Sequence, residues 1–377
     1  MTRLTQLGVF CLCLVPAFAE ASDPKPDRSR AALWTEVADP ELQRAHELTH
    51  QAGHELAEAK AAFPYSWQAA CTKLAALATP LDLPGFSGHR ARVLSGVLGE
   101  FMLRLTHIEN AIARLAEAHR IAPRDPDALV LLAVALREWE RPLSMHSCHV
   151  QHRDREAIEA YETLRREHPT FQPAQVAFDL AIVYTRDLQF DAAARCYAEG
   201  APLEIDVDQQ GVLYSNWAEV TMLSGDLVTA VRLYRRAIDL ATGRSAYLLP
   251  LWGLAVALDR LGEREAALEA ATRALTAEAG SMAILHADGV FFEPESEIHY
   301  YEALGHEALS RMPGNDPDAE LQRAAKSWRT FFEEGGQQTP WATSANDNRQ
   351  RIDNELEQRA QAKAHNATRS PSSAHHE

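Results

Sequence analysis

A pair of histidines and a glutamate near the start of the chain have the spacing of a catalytic zinc site. The segment His46-Glu47-Leu48-Thr49-His50 follows the pattern H-E-x-x-H. On a helix, histidines four residues apart share one face and can bind zinc, and the glutamate between them can act as a general base. This pattern therefore raises the hypothesis of a zinc-dependent hydrolase.

The motif resembles that of the zincin metallopeptidases, and the helix around it bears on that interpretation. The longer metzincin form would place a third histidine at Leu56. The helix has an apolar stripe, and the histidines fall on the opposite, solvated side. The stripe consists of Leu42, Ala45, Leu48, Ala52, Leu56 and Ala59, and the histidines are His46, His50 and His54. Because a catalytic zinc needs a dry cleft, we predict an exposed histidine face on a capping helix, with a metallopeptidase as the alternative.

A second group of potential metal ligands lies within eight consecutive residues. It consists of Met145, His146, Cys148, His149 and His152. Imidazole, thiolate and thioether groups together suit copper or zinc, whereas known zinc modules usually bring two separated ligand pairs together. The group is consistent with a metal-binding accessory role or with a loop that contacts a partner.

A regular spacing of alanines organises the middle of the chain. Five alanines recur at intervals of 46, 36, 37 and 37 residues: Ala111, Ala157, Ala193, Ala230 and Ala267. Another small residue lies twelve positions before four of them, at Gly99, Ala181, Ala218 and Ala255. Small residues let two antiparallel helices approach closely, and such pairs must stack to bury their apolar faces. The long first interval predicts a loop over residues 141–154 between the helices of the second pair.

These residues resemble the signature of the tetratricopeptide repeat family. The clearest unit contains Trp217, Gly225-Asp226, Ala230, Tyr234 and Ala237, and another match is Leu98-Gly99 with Ala111, Leu115, Ala118 and Pro123. The resemblance covers about two thirds of the chain. It implies an all-α, right-handed superhelical solenoid of about five to six helix pairs, with capping helices at both ends.

The repeat spacing and the composition of the terminal segments also predict the domain layout. We expect a signal peptide over residues 1–19 and a linker with capping helices over 20–89. The repeat array follows over 90–280, with units near 92–125, 126–171, 174–207, 211–244 and 248–281. We then expect an extended linker over 281–296, a degenerate repeat unit over 297–339, a capping helix over 340–361 and a disordered tail over 362–377.

The resemblance implies that the first helices of successive pairs line a concave groove that holds peptides or partner helices. The residues expected to line it are Phe178, Ile182, Arg186, Ser215, Asn216, Glu219, Met222, Trp252, Val256, Asp259 and Arg260. Some members of the family bind a peptide's terminal carboxylate with lysine and asparagine. Here the donors Arg186, Asn216 and Arg260 are opposed by Glu219 and Asp259, which argues against that specificity.

The N-terminus and the charge indicate where the protein works. Arg3, an apolar run over residues 7–18 and the small-x-small site Ala17-Phe18-Ala19 are typical of a secretory signal peptide, with a retained anchor as the alternative. Its removal leaves Cys71, Cys148 and Cys196, too few for a disulfide framework. The net charge of −16 disfavours nonspecific binding to nucleic acid or to anionic lipid.

The sequence also lacks a glycine-rich phosphate loop, a G-x-S-x-G elbow and a C-x-x-C pair. We therefore predict an exported, non-catalytic scaffold of the bacterial envelope that requires no cofactor. Its partner would be a protein or peptide. The metallopeptidase and the metal-binding accessory protein remain the alternatives.

Overall fold

The computed structural model describes residues 39–64, 66–67, 87–143, 150–204, 206–287 and 290–369. The chain divides into two compact units. The N-terminal unit is Met1–Ile205 with His286–Val290, and the C-terminal unit is Asp206–Leu285 with Phe291–Glu377. The predicted signal peptide and much of the predicted linker and capping region over 20–89 lie outside the described residues.

The N-terminal unit contains six described helices and one β-hairpin. The helices are α1 (Pro40–Ala62), α2 (Ser87–Ile121), α3 (Pro126–Glu138), α4 (Asp154–Glu167), α5 (Pro173–Arg186) and α6 (Phe190–Gly200). Strands β1 (Glu140–Pro142) and β2 (Val150–His152) pair antiparallel, with Glu140 opposite His152. The hairpin occupies the segment for which the alanine spacing predicts a loop, and residues 144–149 within it lie outside the described part.

The C-terminal unit contains seven described helices. They are α7 (Val207–Leu223), α8 (Leu227–Leu240), α9 (Arg244–Arg260), α10 (Arg264–Ala277), α11 (Glu297–Arg311), α12 (Pro317–Glu333) and α13 (Ala342–Arg369). Short 3₁₀ helices lie at Ala283–His286 and Gly336–Gln338. In both units, helices adjacent in sequence pack as neighbours. The described chain is therefore an all-α repeat of stacked helix pairs, the solenoid class that the sequence predicts.

Local sequence explains where several helices begin and end. Asp-Pro steps start α1, α3 and α12, and in each the aspartate side chain accepts a backbone N–H of the first turn. In the C-terminal unit, Gly225 and Gly262 have φ of +97° and +86° in the turns within the helix pairs. Glycine adopts this left-handed backbone without the steric penalty that a Cβ would bring.

The five aligned alanines are fully buried, as helix-pair packing requires. Three of their small partners, Ala181, Ala218 and Ala255, are also fully buried, whereas Gly99 is exposed. Gly99 differs because the first predicted unit, near 92–125, is not a helix pair. Helix α2 runs unbroken from Ser87 to Ile121 and packs against α1. Where the turn would fall the chain carries Leu105, Thr106 and His107, which do not break a helix as glycine does.

Two further expectations differ from the structure. Ile284 and Leu285 were expected in an extended linker, but they lie buried in a 3₁₀ helix, because their apolar side chains pack into the core. Helix α13 continues to Arg369, eight residues into the expected disordered tail. Lys363 in this extension pairs with Asp318 of α12, and alanine and lysine favour a helix.

Among the described residues, no helix combines the length and apolarity needed to cross a membrane.

Candidate functional site

Three of the expected groove residues lie on α5 in the N-terminal unit. Phe178 is half-buried, and its ring packs edge-to-face on Tyr197 with the centroids 6.0 Å apart. Ile182 is buried. Arg186 pairs with Asp154 and donates to the backbone carbonyl of Arg137 over 3.1 Å. The cation of Arg186 is therefore already neutralised by a carboxylate of its own unit.

A buried polar network surrounds these residues. Arg137 of α3 pairs with Asp179 of α5, and Tyr161 of α4 donates to the same carboxylate over 3.3 Å. Burial raises the pKa of Asp179, while the charge of Arg137 opposes that effect. Arg104 of α2 donates to the carbonyl of Phe63 over 3.1 Å and pairs with Glu138 over 2.9 Å. These bonds tie successive helices together and leave none of these groups aimed at solvent.

In the C-terminal unit, Met222, Trp252 and Val256 are fully buried and do not line an open groove. For Trp252, the reason is the placement of α11 against α9. A Cβ built on Gly305 of α11 would lie 3.0 Å from Cη2 of Trp252 and would collide with Met282. The glycine thus lets α11 approach α9 closely and cover Trp252, which the sequence predicts to face a partner.

Asp259 and Arg260 at the end of α9 are buried in a polar core. Asp259 accepts hydrogen bonds from Tyr300 (2.7 Å) and from Asn348 (2.6 Å). Arg260 pairs with Glu297 of α11, and its guanidinium carbon lies 4.5 Å from the ring centroid of Tyr300 and 4.7 Å from that of Trp341. Such an arrangement combines an ion pair with cation–π attraction. Arg260 therefore serves the fold of this unit, and it is not available as a carboxylate clamp.

The polar core continues around Glu307 of α11, which is 1% exposed. Glu307 pairs with Arg264 of α10 and with Arg351 of α13, the latter at 2.8 Å. Burial, reinforced by the nearby charge of Arg351, lowers the pKa of Arg264 to about 10. Sequence reasoning missed these residues. The available signal was that Glu297, Tyr300, Leu304 and Glu307 share one helical face, which places carboxylates on an apolar stripe.

The residues of the expected groove that remain accessible in the C-terminal unit lie on α7. Ser215, Asn216 and Glu219 are half-buried, and their spacing places them on one side of the helix. Burial raises the pKa of Glu219 to about 7, and the charge of Glu297 acts in the same direction. This polar face of α7 is the candidate binding surface of the C-terminal unit.

The H-E-x-x-H segment lies on the exposed side of α1. His46, Glu47, His50 and His54 are all exposed. Glu47 accepts from Gln51 over 3.1 Å, and His54 lies 3.7 Å from Glu58. The described residues contain no group of three histidine, cysteine or carboxylate side chains arranged to hold a metal.

The second expected metal cluster falls largely outside the described residues, which include only His152 among its members. His152 ends β2, and its Nδ1 is buried with no hydrogen-bond partner among the described residues. Burial lowers the pKa of His152 to about 4, and the cation of Arg186 adds to the shift.

Cys196 is buried, and burial raises the pKa of its thiol to about 11, which disfavours nucleophilic chemistry.

No family model matches the chain, and no curated protein matches it. Solved structures with some similarity include MamA from Desulfovibrio magneticus RS-1, at 16% identity and a TM-score of 0.39, over 51% of this chain and 97% of that chain. The apo form of the quorum sensor NprR from B. thuringiensis has 14% identity and a TM-score of 0.41, over 87% of this chain and 90% of that chain. A chain of the APC/C hetero-tetramer Cut9–Hcn1 has 15% identity and a TM-score of 0.38, over 68% of this chain and 41% of that chain. At these values, none of them assigns a function or a partner to this protein.

Proposed function

We propose that this protein is a non-catalytic scaffold that binds a protein or peptide partner. The supporting observation is a difference between equivalent positions in successive repeats. Ser215 and Glu219 of α7 are half-buried, whereas the positions 37 residues later, Trp252 and Val256 of α9, are fully buried. The same face of the repeat is thus closed at α9 and accessible at α7. A preformed helical surface of this kind binds a partner with little loss of backbone entropy.

The partner is a polypeptide rather than a nucleic acid in this proposal. The net charge of −16 opposes binding to a polyphosphate backbone. The face of α7 offers a hydroxyl, an amide and a carboxyl group, from Ser215, Asn216 and Glu219. These groups suit hydrogen bonds to a peptide, and the carboxylate of Glu219 would repel a phosphate.

Site-specific photo-crosslinking tests the surface. A photoreactive amino acid at position 215 is expected to give a covalent adduct with a discrete protein in the native cell. The matched control places it at Arg232, which is exposed on α8. Absence of an adduct from position 215, or the same adducts from both positions, would refute the proposal that α7 forms the binding surface.

We also propose that the protein is exported to the bacterial envelope. The support is the arrangement of Arg3, the apolar run and Ala17-Phe18-Ala19 at the N-terminus. Cell fractionation and N-terminal sequencing of the mature protein test this location. Export predicts a mature chain that begins at Glu20, and a cytoplasmic chain that retains residue 1 would refute it.

A further inference from the structure

Glu219 interrupts an otherwise apolar column of the repeat. The equivalent position in the preceding repeat is Ile182 and in the following repeat Val256, each 37 residues away. Both of these side chains are buried in their own units. A carboxyl group at such a position loses hydration without gaining the packing of an aliphatic side chain. The repeat architecture alone therefore gives no reason for a glutamate here.

Glu219 is also the exception among the buried or half-buried acids around α9 and α11. Asp259 is hydrogen-bonded to Tyr300 and Asn348, Glu297 pairs with Arg260, and Glu307 pairs with Arg264. Among the residues that the structure describes, Glu219 has neither an ion pair nor a hydrogen bond. Buried carboxyl groups normally have such partners, whereas the half-buried carboxyl group of Glu219 has none among the described residues and is open to an external donor.

Arg260 is the cation whose charge acts on Glu219, but its guanidinium is engaged by other residues. Its Nη2 bonds to Glu297, and its guanidinium lies between the rings of Tyr300 and Trp341. Its Nε and Nη1 hydrogen-bond to none of the described residues, Glu219 included. Arg260 therefore pairs directly with Glu297 and not with Glu219, although its charge partly opposes the rise in the pKa of Glu219.

The other groups that act on Glu219 add negative charge or are neutral. Glu297 of α11 is 2% exposed, its Oε1 has no partner among the described residues, and its charge disfavours ionised Glu219. Tyr301 of α11 and Tyr234 of α8 hydrogen-bond to each other and carry no charge at neutral pH, since the pKa of each is raised far above its usual value by burial. The charged groups that act on Glu219 are thus one carboxylate and one guanidinium, so an ionised Glu219 adds a negative charge that no further cation balances.

We propose that Glu219 is the binding site for the cationic side chain of a lysine or arginine in the partner. This inference rests on the proposed function, because the cation arrives on a peptide bound along α7. The incoming ammonium or guanidinium would donate to the carboxylate of Glu219, while Ser215 and Asn216 bond to neighbouring peptide groups. An acidic partner residue would instead face the carboxylate of Glu219 and be repelled.

Because the pKa of Glu219 lies close to neutral pH, binding of a cation beside it should change how many protons the protein holds. Burial and the charge of Glu297 raise this pKa to about 7, so about half of the free protein is protonated at Glu219 at pH 7. A cation beside the carboxyl group favours its ionised form and lowers the pKa. Binding of a basic peptide should therefore release about half a proton at pH 7, a readout that a purely structural role of Glu219 would not produce.

The test is a selection of random dodecapeptides on the purified full-length protein. The wild type is expected to enrich lysine or arginine at one fixed position. Glu219→Gln should abolish that preference while other positions of the peptide are still selected, and Glu219→Lys should shift it to aspartate or glutamate. The matched control is Glu269→Gln, at an exposed position of α10, which should select as the wild type does. Circular dichroism confirms that each variant is folded.

Calorimetry on one selected basic peptide completes the test. Glu219→Gln should weaken its binding by roughly tenfold or more, and titrations in buffers of different ionisation enthalpy should show proton release only for the wild type. If peptides are enriched without a basic position, or if Glu219→Gln keeps the same basic position, the role of Glu219 is refuted while the scaffold function stands. If neither the wild type nor any of the variants enriches a peptide, both proposals fail.

Discussion

The side-chain amide of Asn348 donates a hydrogen bond of 2.6 Å to Oδ2 of Asp259, which joins the last helix to the end of α9. Arg264 donates to the other end of the same amide, at Oδ1, over 2.8 Å. Asn348 belongs to a narrow buried stripe of the C-terminal segment, together with Trp341, Ala345 and Ile352. This polar bond therefore fixes the register in which α13 packs on the repeat.

Replacement of Asn348 should destabilise the C-terminal unit. Asn348→Leu removes a donor from buried Asp259 and an acceptor from Arg264, and loss of such bonds costs about 1–3 kcal/mol. Urea unfolding measures the change in the free energy of unfolding. The control is Asn354→Leu at an exposed position of α13. Equal losses in the two variants would show that the buried bond is not responsible.

The ion pair between Arg137 and Asp179 gives a second prediction, in the N-terminal unit. Arg137→Met should lower the free energy of unfolding by about 3–5 kcal/mol, because it leaves a buried carboxylate without its cation. The double variant Arg137→Met with Asp179→Leu should recover much of that loss, since neither charge of this pair is then buried without the other. Arg166→Met on the surface of α4 serves as the control and should change stability by less than about 1 kcal/mol. A double variant as unstable as the single one would contradict this account.

The alanine register gives a third prediction. Ala230 is fully buried on α8, so Ala230→Leu should force α7 and α8 apart and cost about 1–3 kcal/mol or more. Val228→Leu, two residues earlier at a side chain that is 61% exposed, should leave thermal stability nearly unchanged. Thermal unfolding of both variants provides the comparison. Tolerance of leucine at position 230 would argue against close helix approach at this alanine.

The raised pKa of Glu219 makes stability depend on pH. The pKa is about 7 in the folded state against a usual value of 4.5. The folded state then binds more protons than the unfolded state between these pH values, so this residue's contribution to stability falls as pH rises from 4.5 to 7. Glu219→Gln cannot titrate, and it should therefore stabilise the protein relative to wild type more at pH 8 than at pH 5. A stability difference that is the same at both pH values would refute the shifted pKa.

The exposed histidines of α1 give the last prediction. A double variant with His46→Ala and His50→Ala should keep the thermal stability and the metal content of the wild type, because both side chains point to solvent. Inductively coupled plasma mass spectrometry of the purified proteins measures the metal. One zinc per chain in the wild type that is lost in the variant would instead support the metallopeptidase alternative.

Much of the fold could be predicted from local spacing. The 37-residue interval between Ala193, Ala230 and Ala267 places each of them at a fully buried contact. The start of α12 also follows from the sequence, because Asp316-Pro317 marks a helix start. These features depend on periodicity and on chain-local hydrogen bonds, which a sequence displays directly.

The candidate site depended on contacts that local spacing does not contain. The alignment placed Glu219 and Trp252 on the same face of the repeat, but α11 covers Trp252 and leaves Glu219 half-exposed. Likewise, the sequence alone determined that Arg186 and Arg260 are cations, while the tertiary structure decided that carboxylates neutralise both. A helical period determines which side of a helix is apolar, whereas the helix that covers that side is chosen by packing between segments far apart in the chain.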